Sequence, residues 1–266
     1  MKTRVLSAIV IIAVFLPFLI VGKLPFALFM SLMSVFGLYE LLKARESKKK
    51  FPFLLKIISY VITVCFCLYD FNSIYYLSSF DYRVMALLIF VFLSPMVFIN
   101  DTKKYNLNDA LFLIGSVLFI GLSFNLIITT RNYDITYILY LLLITTMTDT
   151  FALFTGKLIG THKMCPGISP NKTIEGLIGG VVMGTFIATA FYNTVISSSI
   201  SLVLLIFITM GLSLVGQLGD LVFSSIKRYY DVKDFSNLIP GHGGILDRFD
   251  SLIFVILAYI LVHGIL

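Results

Sequence analysis

The segment from Ser224 to Asp250 gathers charged side chains and a glycine-rich turn between two apolar stretches. Its lysine and arginine side chains are Lys227, Arg228, Lys233 and Arg248. Asp247 and Asp250 lie at its end, and Asp220 precedes it. Lysine and arginine bind phosphoryl oxygens, carboxylates bind Mg²⁺, and glycine lets a backbone approach a ligand closely. We therefore expect a site for phosphate and metal in this part of the chain.

Asp220, Ser224 and Lys227 are spaced i, i+4 and i+7, which places them along one face of a helix over ~10 Å. A carboxylate, a hydroxyl and an ammonium in this order suit a metal-bound phosphate. The other interpretation is an ordinary helix end at the membrane surface, where the lysine extends towards water and pairs with Asp220. A carboxylate in a membrane helix costs about 2.5–3.5 kcal/mol on insertion scales and usually serves a function. This favours a functional role for Asp220.

The turn at 240–244 reads Pro-Gly-His-Gly-Gly and leads to Asp247. If the helices on either side are neighbours, Asp220 and Asp247 share one or two divalent cations, as phosphoryl transfer commonly requires. Asp250 has a second interpretation as a residue favoured by the dipole of a helix start. For His242 the roles of metal ligand, phosphate donor and turn residue are all open.

A third polar group surrounds Lys172. Ser169 or Thr173 is expected to cap the helix that follows. Lys172 then lies beside a helix N-terminus, which is a natural site for an anion, and we expect it to contact phosphate. Asp149, on the preceding apolar stretch, is expected near the same cleft, either as a metal ligand or as the partner that orients Lys172.

The composition places these groups in a membrane protein. Of the 266 residues 59% are hydrophobic and only 13% are charged, with a mean hydropathy of +0.99. A spanning helix needs roughly 20 mostly apolar residues. Such stretches occur at about 5–22, 24–42, 52–69, 84–99, 108–130, 135–154, 174–196, 199–223 and 249–265. The sequence therefore predicts an all-α polytopic membrane protein with about nine transmembrane helices.

Lysine and arginine indicate the orientation, because cytoplasmic loops carry an excess of them. With the N-terminus inside, only Lys23, Arg83 and Arg131 of the 20 such residues fall outside. This predicts a cytoplasmic N-terminus and active site. Basic residues beside anionic lipid explain the net charge of +6 without any nucleic acid. The first apolar stretch has no small-residue cleavage site, so we expect an uncleaved helix rather than a signal peptide.

The two halves of the chain differ in polar content. Residues 1–130, with about five predicted spans, are interpreted as a scaffold. Residues 131–266 hold about four spans, all of the candidate residues and two polar loops at 155–173 and 224–248, and are interpreted as the catalytic region. Glycines at 176, 180 and 184 predict close helix packing. The three cysteines form no metal or disulfide pattern.

The polar positions of the segment 224–250 resemble the signature of the phosphatidate cytidylyltransferases, also called CDP-diglyceride synthetases. The matching positions are Ser224, Lys227, Arg228, Lys233, Asp234, Ser236, Ile239, Pro240, His242, Gly243, Gly244, Asp247, Arg248 and Asp250. Further matches upstream are Asp149, Gly156, Gly160, Ser169, Pro170, Lys172, Thr173, Glu175 and Gly176. The chain departs from the family at Asn171, where a basic residue is usual, and at Ile174, where tryptophan is usual.

The resemblance implies the reaction CTP + phosphatidate → CDP-diacylglycerol + pyrophosphate, dependent on Mg²⁺ and compatible with a second cation. The catalytic residues that it implies are Asp220, Lys227, Asp247 and Arg248. The implied metal ligands are Asp220 and Asp247, followed by Asp250 and Asp149. The implied substrate-binding residues are Ser169, Lys172, Ser224, Arg228, Lys233, His242, Gly243 and Gly244. A homodimer in the bacterial cell membrane, acting in phospholipid biosynthesis, is expected from the resemblance only.

Two other functions share parts of this pattern. Another CTP-dependent membrane lipid enzyme, such as a polyprenol kinase, shares the membrane and the nucleotide but not the signature at 224–250. An ion-coupled transporter would use Asp149 and Asp220 as ion ligands deep in its helices, and it needs no basic cytoplasmic loop. The predicted cluster lies at one membrane edge, which favours the enzyme.

Overall fold

A computed structural model describes residues 2–69, 82–99, 101–196 and 200–266, with the side chains of residues 2–6 and 8 left out. Its helices are α1 (Lys2–Val21), α2 (Lys23–Glu46), α3 (Phe53–Leu68), α4 (Tyr82–Leu93), α5 (Pro95–Ile99), α6 (Leu107–Tyr133), α7 (Ile135–Ile159), α8 (Ile174–Phe191), α9 (Leu202–Tyr229) and α10 (Leu246–Val262). A π-helical turn, Tyr192–Ile196, follows α8. The strands β1 (Lys163–Cys165) and β2 (Ser169–Thr173) form a small antiparallel hairpin. The predicted all-α class is confirmed.

Six helical segments of the described residues are long and apolar enough to cross a membrane. They are Lys23–Glu46, Tyr82–Ile99, Leu107–Tyr133, Ile135–Ile159, Ile174–Ile196 and Leu202–Tyr229. The shorter apolar helices are Ile9–Val21 and Phe53–Leu68, and α10 has 17 residues. Each predicted stretch falls mainly on a helix, but the number of nine spans stays a prediction.

The described chain forms two compact units, each with its own core. The first unit comprises residues 1–133 with 234–246, and the second unit comprises residues 134–233 with 247–266. In the first unit α2 packs against α3 and α6, and Met30, Phe66 and Phe124 are buried. The side-chain amide of Asn125 donates to three carbonyl oxygens at the end of α3, at 2.9 to 3.1 Å. These carbonyls belong to the last turn and the C-cap of α3, where the donors of a continuing helix are missing, so Asn125 caps α3.

In the second unit α7 and α8 approach each other through glycine, as predicted. A Cβ added at Gly180 would lie 2.6 Å from the carbonyl oxygen of Thr148, and one at Gly176 would lie 2.7 Å from that of Ala152. Larger residues at these positions would push the helices apart. The hydroxyls of Thr148 and Ser213 share a hydrogen bond of 2.7 Å, which joins α7 to α9. The unit thus holds α7, α8 and α9 in close contact, and these helices carry much of the candidate site.

Candidate active site

Asp220, Ser224 and Lys227 share one face of α9, as their spacing predicted. The hydroxyl of Ser224 donates to Asp220 Oδ1 at 3.4 Å. The ammonium of Lys227 donates to Asp247 Oδ1 at 2.7 Å, and both residues are buried, at 9% and 7% exposure. Two buried opposite charges at this distance hold each other in place. Lys227 therefore ties α9 to the first turn of α10 through Asp247.

Lys172 of β2 lies against two side chains of α9. Its Nζ forms an ion pair with Asp220 Oδ2 at 2.6 Å and donates to Gln217 Oε1 at 3.1 Å. Gln217 is buried, and its Nε2 donates to Asp149 Oδ1 of α7 at 2.6 Å. We call Lys172, Asp220, Gln217 and Asp149 the Lys172 network. It joins β2, α7 and α9, and Asp149 reaches Lys172 through the amide of Gln217.

Lys172 enters the network from a hairpin that the sequence analysis did not predict. In this hairpin Lys163 of β1 pairs with Thr173 of β2. The hydroxyl of Thr173 accepts a hydrogen bond from the amide of Gly176 at 3.1 Å and caps α8. Thr173 is thus the cap, and Ser169, the other expected cap, lies at the start of β2. Lys172 directly precedes the cap, so it lies beside a helix N-terminus as expected.

A cavity of about 650 Å³ adjoins the Lys172 network. Its charged and amide-bearing lining residues are Asp149, Lys157, Lys163, Asn171, Lys172, Gln217 and Asp220. Small-molecule sites usually have volumes of about 300–1,000 Å³. Lysines suit phosphate oxygens and carboxylates suit a divalent cation, so this lining fits a nucleotide bound with a metal. Lys157, Lys163 and Gln217 are not among the site residues predicted from the sequence.

More charges lie close to the network. The carboxylates of Asp149 and Asp250 both lie within electrostatic range of Asp220. Arg248 lies within range of Asp149, and Lys227 within range of Asp250. Like charges this close repel each other, so nearby cations stabilise the ionised form of these three carboxylates. This arrangement attracts positive charge, whether from protein side chains or from a bound ion.

The remaining cationic candidates take other positions. The guanidinium of Arg228 donates to the carbonyl oxygens of Ile168 at 3.4 Å and Val232 at 3.2 Å, so it joins the end of α9 to the hairpin turn. Lys233 and Arg248 are exposed. The second unit contains all of the predicted lysine and arginine residues and all four predicted carboxylates.

The chain matches known proteins along nearly its whole length. Residues 2–266 match the family model described as "Cytidylyltransferase family". The chain belongs to the cytidylyltransferase family. It is 41% identical over 261 residues to a phosphatidate cytidylyltransferase of Bacillus subtilis (strain 168), covering 96% of this chain and 94% of that protein. Proteins of the same name from Staphylococcus haemolyticus (strain JCSC1435) and Staphylococcus saprophyticus are 37% and 39% identical over 257 residues, with 96% of each chain covered.

As a member of this family the protein is a nucleotidyltransferase, and the family expected from the sequence is confirmed. Its apolar helices and its bacterial relatives mark it as a bacterial membrane protein.

The donor groups of the cytidylyltransferase fit a hard divalent cation such as Mg²⁺. The carboxylates of Asp149, Asp220 and Asp250 offer oxygen ligands only. Within the described parts of the chain, no three His, Cys, Asp or Glu side chains form a group that could hold a metal by themselves. One or two of these carboxylates together with substrate phosphates would match the way in which proteins commonly hold Mg²⁺.

The glycine-rich turn of the cytidylyltransferase belongs to the first unit. Gly241 and Gly243 have φ angles of 78° and 81°, in the left-handed region that favours glycine. Ile239 and Gly243 form an antiparallel bridge. His242 Nδ1 shares a hydrogen bond of 2.7 Å with the hydroxyl of Ser7. His242, Gly243 and Gly244 are thus placed by contacts within the first unit, and their roles in substrate binding stay predictions.

Proposed function

We propose that this cytidylyltransferase transfers the cytidylyl group of CTP to phosphatidate and so produces CDP-diacylglycerol for phospholipid biosynthesis. An oxygen of the lipid phosphate attacks the α-phosphorus of CTP. The bond from that phosphorus to the oxygen of the β-phosphate breaks, and pyrophosphate leaves with the electron pair. The names of the bacterial relatives support these substrates. The observation that carries the proposal is the Lys172 network at the wall of the cavity, where an ammonium and a carboxylate lie 2.6 Å apart.

The protein's own cations stabilise the charge that moves in this reaction. Lys172, Lys157 and Lys163 line the cavity, and we assign them to the oxygens of the triphosphate and of the lipid phosphate. Cations that are already in place stabilise the transition state because they need no reorganisation as charge develops on the leaving group. The substrate supplies the nucleophile, so no serine or cysteine has to attack.

We assign Asp220 and Asp247 as ligands of Mg²⁺, with Asp149 and Asp250 as further candidates. When bound, Mg²⁺ neutralises the triphosphate and the leaving pyrophosphate. The ion pair with Lys227 orients the Asp247 carboxylate. Gln217 orients Asp149 and Lys172 by hydrogen bonds to both. The close carboxylates are also compatible with a second cation.

We further propose that the N-terminus and the cavity face the cytoplasm. The excess of lysine and arginine in the polar loops on that side supports this orientation. Soluble CTP then meets the lipid headgroup at the membrane surface. A homodimer is proposed on the family resemblance alone, and the reaction needs no nucleic acid.

The position of the transferred phosphorus tests the reaction. Purified protein in detergent receives phosphatidate, Mg²⁺ and CTP labelled at either the α- or the γ-phosphorus. Cytidylyl transfer puts the α-label into lipid and releases the γ-label as pyrophosphate. If the γ-label appears in the lipid fraction, with phosphatidate or an added polyprenol as the acceptor, the protein is instead a lipid kinase. No lipid label from a monodisperse sample would overturn the proposal, and ion uptake by proteoliposomes would then test transport.

A further inference from the structure

Glu40 of α2 is a buried carboxylate in the part of the chain interpreted as scaffold, with 1% of its surface exposed. Within the first unit it accepts hydrogen bonds from the segment 236–246. Its Oε1 accepts from the hydroxyl of Ser236 at 2.6 Å and from the amide of Ile245 at 2.9 Å. Its Oε2 accepts from the amide of Leu246 at 2.8 Å. Both oxygens of the carboxylate are therefore bound by the segment that contains the glycine-rich turn.

These contacts explain how a charge is tolerated at this buried position. The amides of Ile245 and Leu246 lie at the start of α10, where backbone N–H groups have no partner within the helix. The positive end of the helix dipole also favours an anion there. Glu40 thus caps α10 from a helix about 200 residues earlier in the chain. A buried carboxylate with these donors is stabilised, whereas the same carboxylate without them would be costly.

Gly244 shows how closely the carboxylate approaches the turn. A Cβ at this position would lie 2.6 Å from Cδ of Glu40, which is closer than non-bonded atoms come. Unlike Gly241 and Gly243, Gly244 does not have a positive φ, so its backbone conformation does not require glycine. Glycine is required there because the carboxylate of Glu40 occupies the space that a Cβ atom would need. At Gly244 the group that approaches the backbone closely is thus a side chain of the protein itself.

We propose that Glu40 is a positioning residue for cytidylyl transfer. Its carboxylate fixes the glycine-rich turn and the first amides of α10, and the next residue in the chain is Asp247. The proposal rests on the proposed function, in which Asp247 binds the metal. Glu40 acts through the turn and the helix start and touches no substrate. Losing it disturbs the geometry of the catalytic segment more than the stability of the first unit.

Glu40→Gln is the sharpest variant because it keeps the size of the side chain. Whichever way the new amide is turned, its NH₂ group faces at least one backbone N–H of Ile245 or Leu246. We expect kcat at least about tenfold lower, equivalent to about 1.4 kcal/mol. We also expect faster amide hydrogen exchange in a peptide covering 236–250, with the rest of the first unit unchanged. Glu46→Gln is the matched control.

Glu46 lies on the same helix and holds the amide of Phe51 at 3.2 Å and Lys56 at 2.9 Å, at a more exposed position. Because ion pairs near the surface contribute little to stability, Glu46→Gln should leave the fold intact and keep kcat within about twofold of wild type. Wild-type kcat in Glu40→Gln would overturn the proposal. Faster exchange throughout the first unit with an unchanged specific activity would also overturn it, since that result describes a purely structural residue.

A double variant separates positioning from substrate contact at the turn. Gly244→Ala forces the Glu40 carboxylate away, so it should lower kcat as Glu40→Gln does. If both act through one contact, the double variant loses no more than the larger single loss, whereas independent effects multiply. Multiplied losses would overturn the proposal. If Glu40→Gln does not fold, Ser236→Ala removes one donor and should lower kcat about two- to tenfold. Unchanged kcat in folded Ser236→Ala would overturn the proposal as well.

The wild type measured alongside separates this proposal from the proposed function. If wild-type protein makes no CDP-diacylglycerol, the proposed function fails and the kinetic part of the Glu40 proposal fails with it. If wild type is active and the Glu40 variants turn over as fast as the Glu46→Gln control, the proposed function stands. The positioning role of Glu40 alone is then refuted. Hydrogen exchange reports on the contact in either case.

Discussion

Replacing Gln217 with methionine removes both hydrogen bonds of its amide and keeps the length of the side chain. Asp149 then loses its donor at 2.6 Å, while Lys172 keeps Asp220 as its ion-pair partner. A hydrogen bond to a charged group contributes about 1.5–3 kcal/mol net. If one such bond is lost from the transition state, kcat/KM falls about 10- to 150-fold, at a factor of ten for each ~1.4 kcal/mol.

The assay is the rate of CDP-diacylglycerol formation at varied CTP, with purified variants in mixed micelles of detergent and phosphatidate. Gln217→Glu should be at least as impaired, because it places a second carboxylate against Asp149. Asn125→Leu is the control: it removes another buried amide, which caps α3 in the first unit. It should lower the Tm but leave the specific activity of folded protein within about twofold. Methionine at 217 with wild-type kcat/KM would refute the role given to the Lys172 network.

Two further substitutions test the framework around the site. Lys227→Met removes one partner of a buried ion pair with Asp247, which costs about 3–5 kcal/mol in such pairs, so both Tm and turnover should fall. Lys227→Arg should retain more of the Tm and of the turnover than Lys227→Met does. A wild-type Tm in Lys227→Met would contradict the stabilising role of this ion pair. Gly180→Ala puts a Cβ against a carbonyl oxygen of α7 and should destabilise the protein by about 1–3 kcal/mol. Gly211→Ala, which has nothing within 4 Å of its Cβ, should leave the Tm unchanged or raised, and equal losses would contradict the packing of α7 against α8.

Hydropathy was sufficient to locate the helices, because a membrane helix must be apolar over its whole length. It did not reveal the hairpin of β1 and β2. Those strands are short, and the sequence Ser-Pro-Asn-Lys-Thr of β2 lacks the alternation of apolar and polar residues that indicates a strand. The hairpin is held by its pairing across residues 163–173 and by the cap of α8. This is why the position of Lys172 could be related to a helix start but not to Asp220.

Helical spacing predicted which residues share a face of α9, but it does not predict partners on other elements. Lys227 pairs with Asp247, 20 residues later, rather than with Asp220, which lies about two helical turns away on the same face of α9. Gln217 could have been found, since an amide three residues before Asp220 on an apolar helix lies on nearly the same face. Glu40 carried the same signal as Asp220, a carboxylate within an apolar helix. Its donors lie about 200 residues away, which no local pattern shows.

The measurement that tests the central claim most directly is metal-dependent product formation with Asp220→Asn. Wild type, Asp220→Asn and Asp101→Asn are given phosphatidate and α-labelled CTP, with Mg²⁺ or with EDTA. Asp101, in the loop before α6, is more exposed and lies outside the cavity, so it is the matched control. We predict labelled CDP-diacylglycerol from wild type and Asp101→Asn with Mg²⁺ only, and at least about 100-fold less from Asp220→Asn. Product in EDTA, or wild-type turnover by folded Asp220→Asn, would contradict the account.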